Sequence, residues 1–316
     1  LGLEDLRAGR LRTVGAPAER FAEDYLRVLR ALRFAGHFGL AIDPPTWDAL
    51  VAATPKLTGL SAERIREELW KILGKTPRAS AALSLYAASG ALAVLYPELD
   101  ATVGLEVPGA DGLDAWTLAL LAVDEIPTTR TLLRVAALLH AIGMPAARTR
   151  DLRGGWRYVG HEVIGGRKAG EVMRRLKASN ADTDRVERLV RHQSDLFPPD
   201  SPGAGIRRWL RDIGPDLVRD LFRLRFALHR AHRGRRNEVP RDLLERWRAA
   251  HRVMLEHPVL DVKGLAIGGA DLKALGVPPG PRFGEILRTL LERVIEQPEL
   301  NTQATLLELA RRELEG

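Results

Sequence analysis

The chain has 316 residues, 48 Lys and Arg against 41 Asp and Glu for a formal charge of +7, and no cysteine. At 45% hydrophobic and 28% charged residues it has a globular composition, long enough for two or three domains, and wholesale disorder is excluded. The lack of cysteine excludes disulfides, Cys-ligated zinc, iron–sulfur clusters and a thiol nucleophile. It fits a reducing cytoplasm. No apolar run nears the roughly 18 residues needed to cross a bilayer, so no membrane partner is expected.

Helical periodicity dominates from end to end, and the fold class expected is all-α. Arg20 to Phe38 carries an apolar stripe at Phe21, Tyr25, Val28, Leu29, Leu32 and Phe34, which reads as a helix. Pro45 opens the next, Thr46 to Ala53. Ser61 is an expected N-cap for a helix running to about Leu73, and Arg78 to Ser89 ends at Gly90. The Gly- and Pro-rich stretch Gly104 to Gly112 reads as a linker. Helices follow at about 114–124, 129–141, 161–178, 182–193, 203–213, 215–233 and 240–256. After a second Gly/Pro-rich segment, Gly264 to Gly284, come helices at 284–296 and 303–315, the last capped by Asn301-Thr302. His161-Glu162 and Asp182-Thr183-Asp184 read as helix starts. Domain boundaries fall near 110 and 240.

The charge is concentrated. Between Arg207 and Arg236 stand ten arginines and three aspartates, a local excess of +7 that equals the whole chain's. Two readings are open, a solvated helix face or a surface that tracks phosphates through planar guanidinium forks.

A second pattern is Glu23-Asp24-Tyr25-Leu26-Arg27. On one helix, Asp24 and Arg27 would project from the same face. Asp accepts from the exocyclic amine of cytosine or adenine, and Arg donates to the adjacent ring nitrogen, so the pair can admit C and A while rejecting U and G. The same spacing also suits a plain surface ion pair. Near the C-terminus, Arg282 and Phe283 lead to Gly284, either a phosphate-binding helix start or a tight turn.

The string Arg20–Phe34 resembles the Glu-Asp-x-x-Arg motif of the class II tRNA nucleotidyltransferases, the CCA-, CC- and A-adding enzymes, and of bacterial poly(A) polymerases. Leu60–Leu69, Gly90-Ala91-Leu92, Tyr96-Pro97-Glu98-Leu99, Gly268–Leu272 and Pro298–Asn301 resemble further family motifs in the same order. The resemblance implies a junction remnant at 1–14, a base-reading neck at 15–110, a body at 111–239 and an RNA-binding tail at 240–316. It implies nucleotide binding by Asp24 and Arg27 with Glu23, braced by Arg64, and RNA contacts at Arg207, Arg208, Arg211, Arg235, Arg236 and Arg282. The expected partners are the tRNA acceptor end, ATP and CTP. The family's Mg²⁺-binding DxD carboxylates are expected N-terminal to Leu1. This chain is therefore expected to hold no catalytic residue and no metal, to be inactive alone, and to be a fragment or one partner of a split enzyme whose separate head supplies the chemistry. The alternative is a non-catalytic RNA-binding module. His140, His161 and His192 resemble a His-Asp phosphohydrolase, but Ala141 stands at the Asp position and Leu118 at the first His position, so the body is expected to be a degenerate scaffold.

Overall fold

The structure is a computed structural model that describes residues 2–233, 239–278 and 280–315. It is all-α. Among the described residues the strands are two-residue pairs only, Arg10–Leu11 parallel to Ala41–Ile42 and Thr149–Arg150 antiparallel to Trp156–Arg157. Most expected helices are present, including Pro44–Ala53, Ala62–Lys75, Ala79–Ala88, Ala115–Asp124, Gly203–Ile213, Pro215–Arg233 and Arg241–Leu255.

The expected helix from Arg20 to Phe38 is two helices, Pro17–Glu23 and Leu26–Phe38. Asp24 between them is extended, at φ −159° and ψ 106°. Its carboxylate takes the Leu26 N–H at 3.0 Å, an early N–H of the second helix with no intrahelical acceptor. Other starts also shift. Ser179, not Asp182, caps Asn180–Arg191 by accepting from the Asp182 N–H. The helix His161–Arg175 follows Gly160 in the left-handed region, with no side-chain cap. The helix expected from Gly284 begins at Pro281, where the fixed φ of proline suits the first turn. Thr302 caps the last helix through the Thr305 N–H, whereas Asn301 bonds the backbone of Gly264 and Ala266.

The chain forms two compact units, Leu1–Ser194 with Arg219–Glu238, and Asp195–Val218 with Val239–Gly316. In the first, the Leu26–Phe38 helix buries Val28, Leu29, Ala31, Leu32 and Ala35 and packs on Ala62–Lys75 and Ala79–Ala88. The crossing is close because residue 36 is glycine: a Cβ there would stand 2.3 Å from the Ala82 backbone. The neighbour is main chain and cannot rotate away. Gly36→Ala is therefore expected to destabilise the protein by about 1–3 kcal/mol, read as a lower midpoint in thermal unfolding. Further on, Gly166 and Gly170 let His161–Arg175 lie against Asn180–Arg191; a Cβ on Gly166 would meet the Arg191 Cβ at 2.8 Å. The second unit has its own core, with Leu265, Ile267, Leu272, Ile286, Leu290, Ile295 and Leu306.

Candidate nucleotide and nucleic-acid site

The elbow at Asp24 places the expected nucleotide-reading residues at the junction of two helices, not on one face of a single helix. Tyr25 is the residue before the second helix, so Arg27 lies in that helix's first turn, and its backbone N–H donates to the Asp24 carbonyl at 3.0 Å. The Asp24 Oδ2 accepts from Arg64 Nη2 at 2.7 Å, while Oδ1 holds the Leu26 N–H. Partial burial opposes the charge, but the Leu26 N–H and the Arg64 guanidinium outweigh it and hold Asp24 below its usual range. A carboxylate offers about four lone-pair sites, and Asp24 uses two within the protein.

Arg27 is oriented from the other side. Its Nη1 donates to Glu23 Oε2 at 2.6 Å and to the Arg20 carbonyl at 2.9 Å. Arg20 shares Glu23, donating to its two oxygens at 2.8 and 2.9 Å. The arginines hold Glu23 below the usual carboxylate range, chiefly through the Arg27 hydrogen bond. Among the described residues, Nε and Nη2 of Arg27 have no hydrogen-bond partner, and its side chain is 36% exposed. The elbow thus leaves spare acceptor sites on Asp24 and, three residues on, spare donors on Arg27. Glu23 points its carboxylate at the arginines.

Arg64 reaches this site from the Ala62–Lys75 helix, whose N-terminus Ser61 caps through the Arg64 N–H. Its partner is Asp24, forty residues away in sequence, and not its own-helix neighbour Glu68. Glu68 is buried and takes Arg33 at 2.7 Å and Lys71 at 2.9 Å. Burial works against its charge, yet these cations still pull its pKa down. Two ion pairs, Asp24–Arg64 and Arg33–Glu68, therefore tie the elbow and its helix to Ala62–Lys75. Arg33 was not singled out by the sequence; a signal for it was a lone acid, Glu68, at a core-facing position that needs a cation.

The expected RNA-binding arginines separate into four groups. Arg207 is buried, and its Nε and Nη2 close the end of the Pro281–Glu296 helix through the carbonyls of Ile295 at 2.6 Å and Glu296 at 3.1 Å. It is a helix-end clamp rather than an exposed phosphate donor. Arg208 pairs with Glu292 and Glu296, and Arg211 with Asp212 and Glu292. Farther along the cluster, Arg223 joins Arg130 and Arg185 on Asp220, Arg225 holds the Gln193 carbonyl, and Arg230 lies 3.6 Å from Glu125. Arg282 is exposed in the first turn of its helix. Arg235 and Arg236 lie outside the described residues.

The body offers poor metal chemistry. His140 is buried with Nδ1 on the Ala137 carbonyl at 2.8 Å, and burial brings its pKa down to about 4. Ala141 is packed with Leu105, Ala115 and Met144, where a ligating Asp would otherwise sit. His161 places Nδ1 on the Tyr158 carbonyl. Among the described residues no group of three or more His, Cys, Asp or Glu is arranged to hold a metal ion. Nor is any described helix long and apolar enough to cross a membrane.

Residues 39–102 match the family model "Probable RNA and SrmB-binding site of polymerase A", and residues 232–310 match that of tRNA nucleotidyltransferase domain 2. The chain is 33% identical over 306 residues to the A-adding tRNA nucleotidyltransferase of Deinococcus radiodurans, an alignment covering 92% of this chain and 68% of that protein. It is 32% identical over 309 residues to the CC-adding tRNA nucleotidyltransferase of Thermus thermophilus, covering 93% and 67% respectively. The crystal structure of the Bacillus stearothermophilus CCA-adding enzyme in complex with CTP superposes with a TM-score of 0.65 at 25% identity, over 99% of this chain and 69% of that one. The chain belongs to the tRNA nucleotidyltransferase family, spanning about two thirds of the length of these relatives.

Proposed function

We propose that this chain is the base-selecting and tRNA-binding portion of a cytoplasmic enzyme that builds or repairs the 3′ end of tRNA from CTP and ATP. The observation that carries the reading is the elbow, where the Asp24 carboxylate is fixed by the Leu26 N–H and Arg64, and Arg27 keeps two guanidinium nitrogens without partners among the described residues. Such an acceptor–donor pair matches the amine and ring nitrogen common to cytosine and adenine. Residues 15–110 would form the reading neck, 111–239 the body and 240–316 a tail, with 1–14 joining the neck to the family's catalytic head. The head would supply the carboxylates that bind Mg²⁺ and carry the transfer.

The test is direct binding. The chain should bind tRNA with an affinity that falls steeply as salt rises, since phosphate contacts release counterions. Fluorescence anisotropy with labelled tRNA over a salt series measures both affinity and slope. A folded chain without measurable tRNA affinity at low salt would remove the RNA-binding half of the proposal.

A further inference from the structure

In the arginine cluster that dominates the sequence, Arg207 is buried and Arg208, Arg211, Arg223 and Arg230 meet carboxylates, but four other arginines do not. Arg148, Arg150, Arg153 and Arg157 lie on and beside a hairpin of the first unit, and all four are exposed. Its strands pair Thr149 with Arg157 and Arg150 with Trp156. Among the described residues none of the four is in an ion pair with a carboxylate. The one nearby acid, Asp151, is used in the turn, where Oδ1 accepts from the backbone N–H of Arg153 at 2.8 Å and of Gly155 at 2.9 Å. Gly154 completes that turn at φ +81°, a conformation that favours glycine.

The aromatic residue in this ribbon is placed to organise the cations. The Arg148 guanidinium carbon lies 3.6 Å from the centroid of the Trp156 ring and that of Arg150 lies 4.3 Å from it. Stacked guanidinium groups keep their in-plane N–H donors available for anions, and their flat faces need little hydration. The hairpin's base is anchored by the Tyr158 hydroxyl on the Glu106 carbonyl and by His161 on the Tyr158 carbonyl. At the other end Leu152 is fully exposed. The result is a fixed, projecting ribbon with a local charge of +3 from four Arg and one Asp over residues 148–157.

We propose that the hairpin formed by Thr149–Arg150 and Trp156–Arg157 is a phosphate-backbone contact for structured RNA, resting on the reading of this chain as a tRNA binder. Its charge complements a duplex backbone, its arginines are not neutralised within the protein, and the wide, shallow minor groove of A-form RNA admits such a contact from outside. The ribbon supplies affinity and orientation, not base selection.

The experiment compares the full chain with the triple variant Arg150→Ala, Arg153→Ala, Arg157→Ala in tRNA binding across a salt series. A second triple, Arg167→Ala, Arg241→Ala, Arg312→Ala, removes the same charge from exposed helix positions that already pair with glutamates. Unchanged thermal midpoints establish that both variants fold. The hairpin variant should bind on the order of tenfold more weakly near physiological salt and lose about two to three units of the salt slope, with the control close to the parent. Equal affinity and slope in hairpin variant and control would overturn the hairpin contact while leaving tRNA binding intact. A parent chain that does not bind tRNA would overturn the underlying reading and the hairpin's role with it. Polyglutamate competing as well as unlabelled tRNA would overturn RNA as the occupant.

Discussion

Replacing Arg134 with Ala is expected to destabilise the first unit by about 3–5 kcal/mol. Arg134 is completely buried on the Thr131–Leu139 helix. Its Nε donates to the Val123 carbonyl at 3.0 Å, Nη1 to Leu73 and Thr76, and Nη2 to Pro77 at 2.8 Å. These carbonyls include those at the C-terminal ends of Ala62–Lys75 and Ala115–Asp124, where unpaired acceptors and the negative end of the helix dipole favour a cation. Asp124 stands 3.7 Å away and also fixes Ser80. Alanine would leave a cavity and several buried carbonyls without donors, each costing about 1–3 kcal/mol before relaxation. Arg134→Lys should fall between the two, since an ammonium keeps the charge but cannot reach all four carbonyls from one planar fork. Burial lowers the Arg134 pKa, but a guanidinium stays protonated in proteins, so this stabilisation should be flat across neutral pH. Thermal unfolding followed by circular dichroism would register the alanine variant as a fall of about 6–20 °C, at roughly 2–4 °C per kcal/mol. The consequence reaches the site, because the Ala62–Lys75 helix that Arg134 secures also carries Arg64.

The helices were legible where apolar spacing and caps agree, as at Ser61 and across Gly203–Ile213. The break at Asp24 was not, because Phe21 and Val28 are both buried on either side of the elbow and the apolar stripe runs through it. A short polar side chain just before a run of helix formers, here Asp24 two residues before Leu26, was the available signal. The ion pairs of the arginine cluster were hidden for a different reason. Composition counts its charges, but Glu292 and Glu296, which meet Arg208 and Arg211, lie more than eighty residues along the chain. The hairpin at Arg148–Arg157 went unnoticed because two-residue strands are too short for an alternating pattern to register. Motif order put Arg64 near the reading residues without naming its partner, and the contact at 2.7 Å is with Asp24, forty residues away.

In an enzyme that joins this chain to the catalytic region of a CC- or A-adding relative, Asp24→Ala should reduce discrimination of CTP or ATP against UTP by about 10- to 100-fold. The estimate follows from about 1–3 kcal/mol for a bidentate edge contact, with tenfold per 1.4 kcal/mol. Asp24→Asn is the sharper test. Its amide oxygen can still accept one hydrogen bond, but the lost charge would loosen Arg64, so selection should weaken while the fold persists. Arg64→Ala separates contact from positioning. It leaves the Asp24 carboxylate present and removes the 2.7 Å brace, so selectivity should fall less than in Asp24→Ala, with the remainder restored by Arg64→Lys. The pH behaviour supplies an independent check. Because Asp24 titrates below its ordinary value of 3.8, its acceptor is present throughout the neutral range and is lost only as pH falls through that lowered value. Selectivity measured as the ratio of kcat/KM for the cognate nucleotide to that for UTP should therefore be level from about pH 6 to pH 8. Unchanged selectivity in Asp24→Ala would remove Asp24 from base reading and reduce the elbow to a structural joint.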